Sequence, residues 1–189
     1  MVNTVGSLTE EQKSIITGKL LGDGSLRRKL NTLLEINHSY KQKDYVFWQY
    51  EKFKNFVGTP PKLRKSGVNR FSYRFTTLST SELNRFYDEF YSNGSKSIPT
   101  ALNLNGLSLA IWFMDDGSRD RKSVYLNTQQ FNVADQVILL TALNKMQLNA
   151  SLNKDKCYFR IRLRLESMAR FKNLVNPFLI ESMRYKLLQ

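Results

Sequence analysis

A chain of 189 residues with 29 Lys and Arg against 16 Asp and Glu carries a net charge of +13, and its 41% hydrophobic and 12% aromatic residues suffice for a buried core in one domain or two small ones. The partner of such a folded, basic protein is a polyanion, nucleic acid before an anionic membrane surface, and no apolar run approaches the ~20 residues of a membrane span. A single cysteine, Cys157, excludes an intrachain disulfide and makes a reducing compartment the expected home, while a single histidine, His38, argues against zinc sites and leaves hydrolysis to carboxylates with a metal.

Residues 1–8 read as a short flexible lead. Thr9 with Gln12 three positions on forms a capping box, opening a helix from Glu10 to about Gly22. Glu10 and Glu11, with no arginine in the first dozen residues, match neither a signal peptide nor a transit sequence, so an organelle location would imply synthesis there. Leu26 to Leu30 is a basic turn or strand start carrying Arg27 and Arg28, and a strand holding His38 is expected over Leu33 to Tyr40. A helix from Asp44 to Val57 follows, whose Tyr45, Phe47, Trp48, Phe53 and Phe56 recur at helical spacing and so belong to the core.

Pro60 and Pro61 end that helix, and two strands follow, Lys62 to Lys65 with Arg64, then Asn69 to Thr77. In the second, Arg70, Ser72, Arg74 and Thr76 alternate with Phe71, Tyr73, Phe75 and Thr77, which puts the aromatics on a core and the arginines on an open face able to enter a major groove. A helix is expected from Ser81 to Tyr91, then Lys96, Ile98 and Pro99 lead into a linker over 102–106 that divides units 9–101 and 107–189. The second unit repeats the plan: a helix over Leu107 to Asp116, a strand over Val124 to Phe131, a helix over Asp135 to Met146, and a turn at Lys154-Asp155-Lys156 before the clearest alternation. There Phe159, Ile161, Leu163 and Leu165 take one side and Arg160, Arg162 and Arg164 the other, and helices over Met168 to Val175 and Glu181 to Leu188 close the chain.

The two units carry similar charge, +7 over residues 1–106 and +6 over 107–189, so both face the same polyanion. Each begins with an apolar helical run ending in an acid and a glycine, Ile16 to Asp23-Gly24 and Leu109 to Asp116-Gly117. The spacing holds beyond these stretches, with 93 residues from Asp23 to Asp116, 91 from Asp44 to Asp135 and 90 from Lys96 to Lys186. Packed side by side through small residues at Gly18, Gly22, Ser108 and Ala110, with the larger side chains turned into separate cores, the two helices would bring Asp23 and Asp116 together. Adjacent carboxylates repel unless a divalent cation lies between them, and such hard oxygen donors, with the Gly22 carbonyl, suit Mg²⁺.

These two stretches resemble the LAGLIDADG motifs of homing endonucleases of the single-chain, two-motif kind, encoded in mitochondrial introns. Lys96-Ser97-Ile98-Pro99, Leu126-Asn127-Thr128-Gln129 and Tyr185-Lys186-Leu187 extend the resemblance from about Ile15 to Leu187. Ile111, where the family has glycine, and Asp115, where it has a small residue, depart from the pattern. The resemblance implies an α+β fold of two α-β-β-α-β-β-α units with a two-helix interface and a saddle of antiparallel sheets. It implies a monomer that cuts a long, partly asymmetric duplex and leaves 3′ overhangs. Asp23 and Asp116 would hold Mg²⁺, with Mn²⁺ or Ca²⁺ able to replace it for binding; Asp115 would be a ligand or stand behind one. Lys96, Lys186 and, with less weight, Gln129, to which His38 roughly corresponds, would assist catalysis. Arg27, Arg28, His38, Lys62, Arg64, Arg70, Ser72, Arg74, Arg119, Lys154, Arg160, Arg162 and Arg164 would meet DNA. Alternatives are a maturase of the same fold, bound to its intron RNA, and a DNA-binding regulator that does not cut.

Overall fold

Each half of the chain lays down the same succession of elements, which a computed structural model describes over residues 6–187. The first half runs α1 (Glu10–Leu21), β1 (Ser25–Arg28), β2 (Thr32–Ser39), α2 (Lys43–Lys52), β3 (Lys62–Gly67), β4 (Arg70–Thr76) and α3 (Asn84–Phe90), then a ribbon of β5 (Tyr91–Ser92) and β6 (Ser95–Lys96). The second runs α4 (Gly106–Asp116), β7 (Gly117–Asp120), β8 (Ser123–Leu126), α5 (Val133–Lys145), β9 (Ala150–Asp155), β10 (Tyr158–Leu163) and α6 (Met168–Val175), and ends in a 3₁₀ helix, Glu181–Lys186. Both halves are therefore α-β-β-α-β-β-α units. The lead expected over 1–8 lies outside the described residues as far as residue 5, and Leu188, the expected end of the last helix, is also outside them.

Both motif helices are started by reciprocal caps. Thr9 accepts from the Gln12 amide while the Gln12 side chain accepts from the Thr9 amide, and Asn105 and Ser108 make the same exchange at α4. Several boundaries differ from the sequence pattern. α2 stops at Lys52 because the Phe53 amide is shared between the Gln49 and Tyr50 carbonyls, the start of a 3₁₀ turn. The helix expected from Ser81 likewise opens as a 3₁₀ turn, and the last helix is 3₁₀ over Glu181–Lys186. β8 ends at Leu126, five residues before Phe131, since the chain turns there and the Phe131 amide bonds the Thr128 carbonyl at 3.0 Å. β7, only four residues and almost without apolar side chains, had no periodicity to reveal it.

The strands form two antiparallel sheets, ordered β1-β2-β4-β3 and β7-β8-β10-β9. Residues opposite one another in an antiparallel pair share a face, so register decides which side chains look out. In the first sheet Leu26, Leu34, Ile36 and Phe75 lie on the buried face, and in the second Val124, Leu126, Ile161 and Leu163 do. The opposite faces carry Asn37, Arg74 and Lys62 in one row of the first sheet, and Tyr125, Arg162 and Ser151 in one row of the second.

Beneath both sheets, α1 and α4 pack against each other in a single continuous apolar core, not the two separate ones expected. The approach is close at two glycines. A Cβ on Gly18 would lie 2.5 Å from the Ser108 carbonyl oxygen and 2.6 Å from the Ile111 Cβ, and one on Gly22 would lie 2.4 Å from the Asp115 Cβ. Thus α1 supplies the space and α4 fills it, with Ile111 and Asp115 joining Ser108 at the contact.

Candidate active centre and nucleic-acid interface

The two helices end at one cleft, lined by Gly22, Asp23, Lys96, Asp116, Asn127 and Gln129 among others. Asp23 and Asp116 stand there at equivalent stations, each just past the buried length of its helix. Behind each acid is a lysine from the end of its own half. Lys96 Nζ donates to the Gly22 carbonyl at 2.8 Å, and Lys186 Nζ donates to the carbonyls of Met114 and Asp115 at 2.5 and 2.8 Å. These ammonium groups lie against the negative ends of the helices and beside the acids. Burial lowers Lys186 from its ordinary value and pushes Lys96 down to about 8, against the raising influence of Asp115 on both.

Asp116 is pushed up to about 7, first by burial and then by the charges of Asp23 and Asp115. Among the described residues its side chain accepts from Gln130 Nε2 at 3.4 Å, and its main-chain carbonyl accepts from Asn127 Nδ2 at 2.7 Å. A carboxylate held short of full ionisation between two others is a place where a cation would relieve repulsion, and the donors around it are hard oxygens. The residues therefore fit a divalent ion of the Mg²⁺ class. Gln130 and Asn127 are site residues the sequence reading missed. Gln129 lines the cleft, and its side-chain amide donates to Asp155 at 2.8 Å.

Asp115 lies beneath the cleft, bonded to the main chain of Asp23. Its carboxylate is fully buried and receives Lys19 Nζ at 3.0 and 2.8 Å, the Tyr45 hydroxyl at 3.0 Å and the Asp23 amide at 3.0 Å. Lys19 is also wholly buried, and its ammonium lies 2.7 Å from His38 Nε2. Donor atoms of Asp23, His38 and Asp115 all fall within 4.8 Å of one another, the grouping of a metal site, but the ammonium of Lys19 is what both His38 and Asp115 bind. His38 is held well below its ordinary pKa by burial and then by Lys19, and Tyr45 well above its own by burial and then by Asp115.

Strand register sorts the basic residues expected on DNA. Arg27, Lys62, Arg64, Arg70, Arg74, Arg160 and Arg162 lie on the open faces, with Arg164 one residue past β10. Ser72 is on that side but only 6% exposed, leaving little of it for a base. Four others belong to the opposite face. Arg28 pairs in register with buried Thr32, binds Asp88 and lies over Tyr87. Arg119 is opposite Val124, Lys154 is opposite Phe159 in the parity of Ile161, and His38 is 4% exposed inside the centre. Several open-face arginines are already oriented. Glu35 holds both Arg27 and Arg74, Asp120 holds Arg162 at 2.9 Å, and the Arg160 guanidinium lies 3.9 Å from the centre of the Tyr125 ring.

Known proteins resemble this chain in sequence and in fold. A model of the "LAGLIDADG DNA endonuclease family" matches residues 13–171. A probable intron-encoded endonuclease 1 of Wickerhamomyces canadensis is 33% identical over 96% of this chain and 86% of its own length. The cytochrome b mRNA maturase bI2 of Saccharomyces cerevisiae is 31% identical over 99% of this chain, which spans 49% of that protein. Among solved structures, the homing endonuclease I-WcaI bound to its DNA recognition sequence superimposes with a TM-score of 0.91 at 30% identity, over 97% of this chain and 88% of that one. I-DmoI in complex with DNA and Ca shares the fold at a TM-score of 0.55 and 15% identity, over 93% of this chain and 98% of its own. The chain, with its two motif helices and paired acids, belongs to the LAGLIDADG DNA endonuclease family.

Proposed function

We propose that this protein is a site-specific endonuclease that cuts both strands of a long, partly asymmetric DNA duplex, acting as a monomer with divalent metal, Mg²⁺ in the first place, and leaving 3′ overhangs. The observation that carries the reading is the pair of acids at the mouth of one cleft, each with its own half's lysine fixed on a carbonyl of the preceding turn. The open sheet faces with their aligned arginines would lie in the major groove on either side of the cut. Asp23 and Asp116 would hold the metal, whose chemistry is to polarise the phosphate and ease deprotonation of the attacking water. Lys96 and Lys186, kept close to the acids by their carbonyl partners, would meet the extra negative charge of the transition state. Gln129 and Gln130 would bind water or a phosphate oxygen at the cleft edge.

Cleavage of a randomised duplex library with Mg²⁺, comparing the intact chain with Asp23→Asn and Asp116→Asn, tests this. The expected outcome is selected double-strand cuts that vanish in both variants while binding to the selected duplex in Ca²⁺ persists. Intact protein that binds without cutting would overturn it. Intron encoding in a mitochondrion is part of the same proposal, supported by the relative named as intron-encoded.

A second reading has its own support in the maturase relatives, two of which match 99% of this chain. In that reading the protein binds intron RNA and aids splicing, with or without cleavage. Selective binding to a structured intron RNA that duplex DNA does not displace would favour it, and full competition by DNA would sink it.

A further inference from the structure

The chemistry buried under the cleft is present on one side only. Applying the motif and strand spacings, Lys19 corresponds to Trp112, Gly22 to Asp115, His38 to Gln129 and Tyr45 to Gln136. The ion pair, the histidine and the tyrosine therefore all support Asp23, and their counterparts beside Asp116 form no such group. A lysine ammonium lying 2.7 Å from His38 Nε2 can only donate there, which leaves the ring proton on Nδ1. That nitrogen is 3.5 Å from Asp23 Oδ2. Asp115 meanwhile takes the Asp23 amide on its Oδ2. Asp23 is thus approached twice, at its main chain by Asp115 and at its carboxylate by His38, and both groups are themselves set by Lys19. Asp116 is held by other groups, its main-chain carbonyl by Asn127 and its carboxylate by Gln130 Nε2 at 3.4 Å, and neither belongs to a buried charged cluster.

We propose that Lys19, Asp115 and His38 form a one-sided positioning network beneath Asp23 that has no counterpart beneath Asp116, so that the two DNA strands are cut at unequal rates. This rests on the endonuclease reading. Lys19 acts as a built-in cation in place of the metal that Asp115 and His38 could otherwise share with Asp23. Because Asp115 and Lys19 are both buried, removing either alone would strand a charge in the core, so they are best neutralised together.

The test uses the full chain with Lys19→Met combined with Asp115→Asn, and separately His38→Gln, which installs the residue of the other half. Rates for each strand are followed on a duplex selected by the intact protein and labelled at both ends, with binding measured in Ca²⁺. The ratio of the two strand rates is expected to shift about tenfold, the scale of losing a group that orients a metal ligand, while binding changes little. In the metal-free protein, the Asp23 amide resonance is expected to move and its hydrogen exchange to quicken in the double variant. Equal slowing of both strands, an unchanged ratio, or an Asp23 amide that stays in place would overturn the proposal. Failure of the intact protein to cut any duplex would count against the endonuclease reading, while the amide measurement would still decide whether Asp115 holds Asp23.

Discussion

The floors beneath Asp23 and Asp116 differ far more than the cleft above them. At the cleft the halves match, acid for acid and lysine for lysine, and each lysine caps its own helix. Below, one half has a charged cluster of Lys19, Asp115, His38 and Tyr45, and the other has the buried Trp112 with neutral Gln129 and Gln136 at the stations of His38 and Tyr45. The groups that would touch phosphate are tied to a two-fold arrangement by the near symmetry of a duplex backbone. The layer beneath touches only protein, so it is free to diverge as long as volume and charge are balanced.

Unbalancing the charged floor has the largest expected effect. Asp115→Leu alone should cost about 3–5 kcal/mol of stability, because Lys19 is left charged and buried without its partner. Adding Lys19→Met should recover most of that loss. Denaturant unfolding of the two variants is the measurement, and a single variant as stable as the parent would mean that the floor is not held by the pair.

A smaller effect distinguishes the acids themselves. Asp116 has a folded-state pKa raised to about 7, so the native protein binds a proton that the unfolded chain has already released. From this group, metal-free stability is highest below the ordinary carboxylate range and declines as pH rises to about 7, by on the order of 1–2 kcal/mol after allowing for its partial exposure to water. Asp116→Asn should flatten that slope when unfolding is followed in EDTA from pH 4 to pH 8. An unaltered slope would show that Asp116 is not the group under strain.

The smallest expected change separates the two faces of the sheets. Replacing Arg74 or Arg162 by Ala should lower the salt dependence of duplex binding by about one unit of slope, whereas Arg28→Ala and Lys154→Ala should leave it nearly unchanged. Anisotropy titrations over a range of NaCl concentrations would show this. Equal effects from both sets would mean that DNA wraps beyond the open faces.

Periodicity made the repeat, the motif helices and the two arginine-bearing strands legible, because a half-buried strand writes its faces into alternate residues. It did not give the face of every charge. The resemblance put Arg28 and Lys154 among the DNA contacts, and only their register against Thr32 and Phe159 shows the opposite side. The centre was legible in its acids and lysines, which sit at fixed points of the repeat. Its asymmetry was not, since Lys19 meets His38 and Asp115 across gaps of 19 and 96 residues and each looked unremarkable alone. The departure at Asp115 was visible as a misfit, but its meaning depended on which side chain Gly22 made room for.

The close contact between α1 and α4 also determines which halves can recognise one another. Two copies of the first half would set Gly18 against Gly18, leaving a void where Ile111 belongs, and would bury two Lys19 ammonium groups with no Asp115 to receive them. Two copies of the second would drive Ile111 into Ile111 and Asp115 into Asp115. Knob and socket have been dealt to different sides, so neither half is self-complementary. A chain severed in the segment between them is expected to reassemble as a one-to-one pair of unlike fragments.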